Sequence, residues 1–198
     1  MTWVLVAVIV VLLVVIAALF ARQQRSRRLK QDFGPEYKRV VSERGDQRAA
    51  ERELSERRQR VERLEIRELE PAARDRYLER WKVAQRSFVD RPDAAVGEAD
   101  ALVQQVMHDR GYPVDQDFEQ RAADVSVEHP HVVDNYRAAH GISVRAANGQ
   151  ASTEQLRQAM VHFRALFDDL LGASASAAGD GDGAAQREAS GQETIRRG

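Results

Sequence analysis

Three histidines in one short region are the residues of this sequence best suited to metal chemistry. His129 and His131 flank Pro130, and His140 follows on the next predicted helix. Imidazole nitrogens commonly bind zinc and other transition metals, so these three residues are the candidate ligands. No His-x-x-x-His or Glu-x-x-His pair lies on a predicted helix, however. We expect structural or surface roles, and a metal-binding or enzymatic helical domain built on residues 110–140 is an alternative.

Acidic side chains in the same region are candidates for acid–base catalysis. Asp115, Asp117 and Glu119 follow the Gly-Tyr-Pro turn at 111–113, and paired carboxylates can exchange protons with a substrate. An Asp after such a turn more often caps the following helix by accepting a backbone hydrogen bond. We therefore assign no catalytic residue and no cofactor. The same stretch carries three further acids, Asp124, Glu128 and Asp134. They either form a solvated face or accept arginine side chains from a partner or from the charged segment.

The composition excludes several other kinds of site. The chain has 198 residues and no cysteine, which excludes disulfide bonds and thiolate metal sites. Its 30 basic residues nearly balance 31 acidic ones, so we expect no nucleic acid partner. The sequence also lacks a glycine-rich phosphate loop and a nucleophile elbow.

The first twenty residues form an apolar run without charge, proline or glycine. A helix of that length reaches about 28 Å, close to the ~30 Å hydrocarbon core of a bilayer. Residues 1–21 are therefore predicted to form a transmembrane helix in the lipid bilayer. No basic residue precedes the run, which disfavours a cleaved signal peptide. An exported protein with a cleaved signal is the alternative.

A basic cluster without acids follows the apolar run directly. Lys and Arg accumulate on the cytoplasmic side of membrane-spanning helices. We therefore predict a single-pass protein of the bacterial inner membrane, with its N-terminus outside and its body in the cytoplasm. A role of the cluster in binding anionic lipid is an alternative to a purely topological one. The residues of this predicted membrane-surface site are Arg22, Arg25, Arg27, Arg28 and Lys30.

Residues 22–65 contain the basic cluster and a highly charged segment. Gly34 and Pro35 interrupt the chain, and the sequence after them has few apolar residues. Charge pairs at i, i+4 spacing, such as Glu53 with Arg57, support a helix. We expect a charged helical stalk. Its apolar residues keep the spacing of a coiled coil over a short stretch only, which permits weak homodimerisation.

Residues 66–171 carry the predicted globular domain. Apolar side chains recur there at three- and four-residue spacing, as in Tyr77, Trp81 and Ala84, which is the period of an amphipathic helix. Five such stripes, separated by Pro and Gly turns, predict an all-α bundle of five helices. Residues 172–198 lack the apolar side chains needed for a core, and we predict a disordered tail.

Four segments of the sequence resemble a family of bacterial single-pass membrane proteins. They are FGPEY (33–37), PAARDRY (71–77), RGYPVDQDFEQRAADVSVEHPHVVDNYRAAH (110–140) and TEQLRQAMVHFRALFDDLL (153–171). The resemblance covers roughly residues 1–171. It implies an anchored helical architecture, and because the family has no assigned activity it implies no catalytic residue.

These observations favour a membrane-anchored cytoplasmic adaptor or scaffold that binds a protein partner. Tethering raises the concentration of the domain at the membrane, so weak contacts suffice for binding. The aromatic residues are expected in the core, and a groove between helices that accepts a partner helix is an alternative. The sequence identifies no biochemical activity.

Overall fold

The computed structural model describes residues 2–172, and within that range the chain is all-α. The side chains of residues 4–11, 18, 21 and 22 are not described. Apart from Gly172, the predicted disordered tail lies outside the described residues. The helices are α1 (Thr2–Arg44), α2 (Gln47–Val61), α3 (Pro71–Ser87), α4 (Pro92–Arg110), α5 (Phe118–Glu128), α6 (Val133–Ala147) and α7 (Thr153–Leu170).

Residues from Thr2 onward are helical, as predicted for the apolar run. Among the described residues, none of the helices combines the length and the apolar character that a membrane crossing requires. The transmembrane helix predicted for residues 1–21 is thus not confirmed. Part of that segment, including residues 4–11, lies outside the described side chains.

Local signals explain most helix boundaries. Asp46 and Asp117 begin α2 and α5, each accepting a 2.9 Å hydrogen bond from a backbone N–H of the first turn. Ser152 and Gln155 form a reciprocal capping box at the start of α7. Gly111 ends α4 with φ 98°, where a Cβ atom would lie 2.4 Å from the carbonyl oxygen of Glu65. Only glycine fits at that position.

The first helix reverses its direction at Gly34, which has φ 45° and ψ −118°. Before the reversal, Ser26 donates a 2.7 Å hydrogen bond to Glu51 of α2. Further along, Asp32 pairs with Arg58 at 2.6 Å. Residue numbers increase in the same direction on both helices, so α2 runs parallel to this first segment of α1.

The second segment of α1 runs antiparallel to α2. Glu36 pairs with Arg57 at 2.7 Å, and Arg44, at the other end of the segment, pairs with Glu53. A second reversal at Gly45, with φ 65°, connects the two helices. The chain therefore doubles back twice within about forty residues.

These three helical segments enclose a small hydrophobic core, and we call residues 23–61 the N-terminal unit. Val127 of α5 also packs against this core. The charged segment predicted as a stalk over 22–65 is helical, and the reversals at Gly34 and Gly45 fold it back so that widely spaced apolar residues come together. The predicted homodimer stays a prediction. The buried core residues are Leu29, Phe33, Tyr37, Val40, Ala50 and Leu54.

Helices α3 to α7 form the five-helix bundle predicted from the apolar stripes. Its core is larger and almost entirely apolar, and α7 packs against both α4 and α6. Trp81 of α3 stacks on Phe167 of α7 with ring centroids 4.7 Å apart. Tyr136 and Phe163 are also fully buried. The prediction that the aromatic residues fill the core is confirmed for these side chains.

Candidate functional site

His129 is buried between α4 and α7. Its Nδ1 lies 2.6 Å from Oδ2 of Asp169, and Nη1 of Arg110 lies 2.9 Å from its Nε2. Arginine has only donors, so Nε2 accepts this hydrogen bond and the ring proton sits on Nδ1. Both ring nitrogens are therefore engaged. This Asp–His pair resembles a catalytic dyad, but Arg110 occupies the nitrogen that would act as a base or bind a metal.

The other two candidate histidines have different surroundings. His131 is exposed beside the reversal of α1, where a Cβ atom at Gly34 would lie 3.2 Å from its Cε1. His140 stacks on Phe118 with ring centroids 3.7 Å apart. Its Nδ1 lies 3.9 Å from a carboxylate oxygen of Asp100. Within residues 2–172, no group of three or more His, Asp or Glu side chains is arranged to hold a metal ion.

The acids after the Gly-Tyr-Pro turn do not form a paired carboxylate site. Asp117 caps α5, as the sequence indicates. Asp115 and Glu119 are exposed at the surface. Asp124 is buried and accepts a 2.7 Å hydrogen bond from Arg60 of α2. The alternative that arginines of the charged segment reach this face is therefore confirmed at Asp124.

Glu128 and Asp134 have partners within the bundle. Tyr112 donates a 2.6 Å hydrogen bond to Glu128, and Arg137 contacts Asp134 at 3.1 Å. Burial and the bond to Glu128 raise the pKa of the Tyr112 phenol. The phenol therefore stays protonated at neutral pH and acts as a donor.

A cavity of about 250 Å³ adjoins His129, near the end of α7. Its lining includes Arg74, Arg110 and Asp169. Ligand pockets typically enclose about 300–1,000 Å³ and are mostly apolar. The small volume and the largely charged lining of this cavity make it a poor substrate site.

The most concentrated group of buried charges was missed by the sequence reasoning. The Glu36 side chain is inaccessible to solvent and accepts hydrogen bonds from three arginines, at 2.7 to 3.0 Å. Arg39 comes from α1 itself, Arg57 from α2 and Arg137 from α6. Arg57 also lies 3.4 Å from the hydroxyl of Ser126 on α5. We call these residues the Glu36 cluster.

Electrostatics keep Glu36 ionised. Burial by itself would raise the pKa of this carboxyl group. The hydrogen bonds and positive charges of Arg39 and Arg137 act in the opposite direction and lower the pKa to about 2. Five donor contacts occupy its two oxygens, which leaves no room for a substrate. The arrangement joins the N-terminal unit to the bundle rather than performing catalysis.

A sequence signal for this cluster was present. After the reversal at Gly34, Glu36 and Val40 have the i, i+4 spacing of one helical face, and Tyr37 stands beside them. Because these two neighbours are apolar, the carboxylate is expected to point inward. A buried carboxylate requires a positively charged partner.

The predicted membrane-surface residues line one stretch of α1. Arg25, Arg27, Arg28 and Lys30 are exposed, and the side chain of Arg22 lies outside the described set. The ammonium group of Lys30 lies 5.4 Å from the ring centre of a neighbouring tyrosine. Arg25 and Arg28 also line a groove of about 380 Å³ between α1 and α2. The cluster is thus held on a folded surface.

Comparison with protein-family models, with curated proteins and with solved structures finds no match to this chain. The resemblance to single-pass membrane proteins therefore stays a prediction, and the site is interpreted from its own geometry.

Proposed function

We propose that this chain is a membrane-anchored helical binding module. In this proposal the apolar N-terminal segment spans a bacterial inner membrane once, with its N-terminus outside. The helical body lies on the cytoplasmic side and binds a protein partner as an adaptor or scaffold. The body contributes a rigid surface at a fixed distance from the bilayer.

The continuity of α1 carries this proposal. Large apolar side chains near its start have no protein packed around them, and Leu13 and Phe20 are 60% and 62% exposed. The same helix continues without a break to Leu29 and Phe33, which are buried in the core of the N-terminal unit. Only about 13 Å of helix separates Phe20 from Leu29. The body is therefore attached directly to the apolar segment.

Exposed apolar surface on this scale is costly in water. Each square ångström of apolar area removed from water contributes about 25 cal/mol. A bilayer provides that burial for a helix that is apolar on all sides. The described side chains that support this interpretation, all exposed, are Trp3, Leu12, Leu13, Val14, Val15, Ile16, Leu19 and Phe20.

Partner binding is favoured by the rigid attachment of the body to the apolar segment. The buried polar groups around His129 and Glu36 bind one another. A domain held at the membrane has a high local concentration, so modest affinity suffices. Single exposed apolar residues such as Val89 and Val161, which are 83% and 55% exposed, provide positions from which a partner can be detected.

Membrane placement is tested by combining extraction and thiol labelling. The chain has no cysteine, so Thr2→Cys and Gln85→Cys each introduce a unique probe. We expect the full chain to remain in membranes after alkaline washing. A membrane-impermeant thiol reagent should label position 2 in cells with a permeabilised outer membrane, and position 85 only after lysis.

Two results would contradict this placement. Release of the full chain by alkaline washing would show that the apolar segment does not span the membrane. A mature protein whose N-terminus begins after the apolar segment, with position 85 labelled before lysis, would establish the alternative of an exported protein.

Partner binding is tested separately by photo-crosslinking in native membranes. A photoreactive amino acid at Val89 or Val161 should produce a reproducible adduct with one protein. The buried position Phe163 provides the matched control on α7, because its side chain has no access to a partner. If neither exposed position, nor any other scanned over the surface of the body, yields an adduct absent from this control, the adaptor proposal is wrong.

A further inference from the structure

The groove between α1 and α2 combines three arginines from two helices. Arg25 and Arg28 come from α1, and Arg58 comes from α2. Glu62 is the one carboxylate among the described residues that line it. The sequence places only the first two arginines in the basic cluster. The fold adds the third, because α2 runs parallel to the first segment of α1.

Two of these arginines are free to bind a ligand. Within the described part of the chain, neither Arg25 nor Arg28 has an ion-pair partner, and both are exposed. Arg58 pairs with Asp32 at 2.6 Å, in a contact that is partly open to solvent. Neutral donors stand beside them, from the side-chain amides of Gln24 and Gln59.

The groove lies close to the end of the apolar run. Along a helix, Arg25 is about 7.5 Å and Arg28 about 12 Å beyond Phe20. The headgroup region on each side of a bilayer is about 5–7 Å thick. Arginine side chains extend several ångströms towards that region while their stems stay on the helix. If the apolar run lies in the membrane, the end of the groove at Arg25 and Arg28 lies next to the lipid phosphates. Arg58, paired with Asp32 about 18 Å beyond Phe20, lies on the side away from the bilayer.

We propose that this groove binds the phosphate of an anionic phospholipid headgroup. Guanidinium groups form paired hydrogen bonds to two phosphate oxygens, which suits a ligand with a phosphate diester and a net negative charge. Arg25 and Arg28 supply free donors, and Arg58 closes the groove from α2. This proposal rests on the membrane placement proposed above, because the height of the groove is measured from the apolar run.

The test uses the full chain extracted from membranes in mild detergent. Native mass spectrometry measures the binding of added phosphatidylglycerol and, for comparison, zwitterionic phosphatidylcholine. The triple variant R25Q/R28Q/R58Q removes the groove arginines. The control R76Q/R86Q/R145Q removes the same charge from exposed positions elsewhere. A double variant R25Q/R28Q retains the Arg58–Asp32 pair in case the triple variant does not fold.

We expect the groove variants to bind phosphatidylglycerol at least about tenfold more weakly than the wild type, since each arginine near an anionic surface contributes roughly a factor of five. The control variant should bind within about twofold of the wild type, because its arginines lie outside the groove. Phosphatidylcholine binding should be unaffected in all of them.

Three results would overturn the proposal in distinguishable ways. Equal phosphatidylglycerol binding by groove and control variants would leave the membrane placement intact and remove the lipid site. Protection of the lipid-free chain against heat by inorganic phosphate, to the same extent as by phosphatidylglycerol, would assign the groove to a soluble phosphate. Absence of the chain from the membrane fraction before extraction would instead refute the proposed function on which the site rests.

Discussion

The N-terminal unit and the five-helix bundle are both helical, but different forces hold them together. The bundle encloses a continuous apolar core that includes Trp81, Tyr136 and Phe163. The hydrophobic core of the N-terminal unit contains six buried residues, and beside them lies the fully buried carboxylate of Glu36 with its three arginines. Hydrophobic burial is tolerant of small shifts, whereas a buried ion cluster requires defined geometry. We infer that the bundle provides stability and that the Glu36 cluster fixes the orientation of the N-terminal unit.

The largest expected effect tests the bundle core. Phe163→Ala removes a fully buried aromatic side chain, and such changes cost about 3–5 kcal/mol. Val161→Ala, two residues away on the same helix and exposed, is the control and should change stability by less than about 0.5 kcal/mol. Urea unfolding of the full chain in detergent, followed by circular dichroism, measures both. Equal effects would mean that α7 does not contribute the core face seen here.

A comparable effect is expected at the Glu36 cluster. Glu36→Gln retains the size of the side chain but leaves the positive charges of Arg57 and Arg137 without their buried partner. Breaking a buried ion pair costs about 3 kcal/mol or more. The control Glu154→Gln breaks an exposed pair with Arg157, and such solvent-screened pairs contribute far less to stability than buried ones.

The Glu36 variant also distinguishes the two regions directly. If the units are joined as described, proteolysis of Glu36→Gln should cut first at the reversals around residues 34 and 45 while the bundle stays protected. Phe163→Ala should instead make the bundle itself susceptible to cleavage by the protease. The same digestion pattern from both variants would contradict a division into two differently stabilised regions.

Acid should weaken the contact that the Glu36 cluster makes between the N-terminal unit and the bundle before it weakens the bundle core. The pKa of Glu36 is about 2 in the folded chain, against its ordinary value of 4.5. Its stabilising contribution is therefore complete above about pH 4.5 and is lost as the pH falls towards 2. The wild type should lose its stability advantage over Glu36→Gln across this interval. A constant difference between the two from pH 7 to pH 2.5 would show that the carboxylate does not stabilise the fold.

A smaller effect is expected at a second contact between the N-terminal unit and the bundle. Asp124→Asn weakens the hydrogen bond that α5 accepts from Arg60, and hydrogen bonds to charged groups contribute about 1.5–3 kcal/mol. Because Arg60 is partly exposed, the lower end of this range is expected. Asp115→Asn, on an exposed residue of the preceding loop, is the control. If Asp124→Asn and Asp115→Asn have the same denaturation midpoint, the Glu36 cluster alone holds the N-terminal unit against the bundle.

The bundle was predictable from the sequence because its signals are local. Five helices are indicated by apolar residues at three- and four-residue spacing, by proline at helix starts and by glycine at helix ends. Each of these signals acts within a few residues. The capping role of Asp117 and the box formed by Ser152 and Gln155 follow from the same local rules. Where an element depends on its own residues, reasoning from the sequence suffices.

The N-terminal unit was not predictable in the same way because its contacts are distant in sequence. Gly34 marks an interruption, but only the structure gives its direction, and that direction turns a stalk into a folded unit. Arg57 and Arg137 reach Glu36 from 21 and 101 positions away. His129 likewise finds Asp169 at a separation of 40 residues. These partners determine whether a charged residue is a ligand, a base or a structural link.

The rigid attachment of the bundle to α1, the helix proposed to carry the membrane anchor, is tested most directly by a distance measurement in a membrane. Spin labels at Gln31→Cys in α1 and Gln105→Cys in α4 are both on exposed positions, and the chain has no other cysteine. In lipid nanodiscs, pulsed electron resonance should give one narrow distance distribution that broadens when Glu36→Gln is added. A broad distribution already in the chain with an intact Glu36 cluster would contradict a bundle held rigidly on α1.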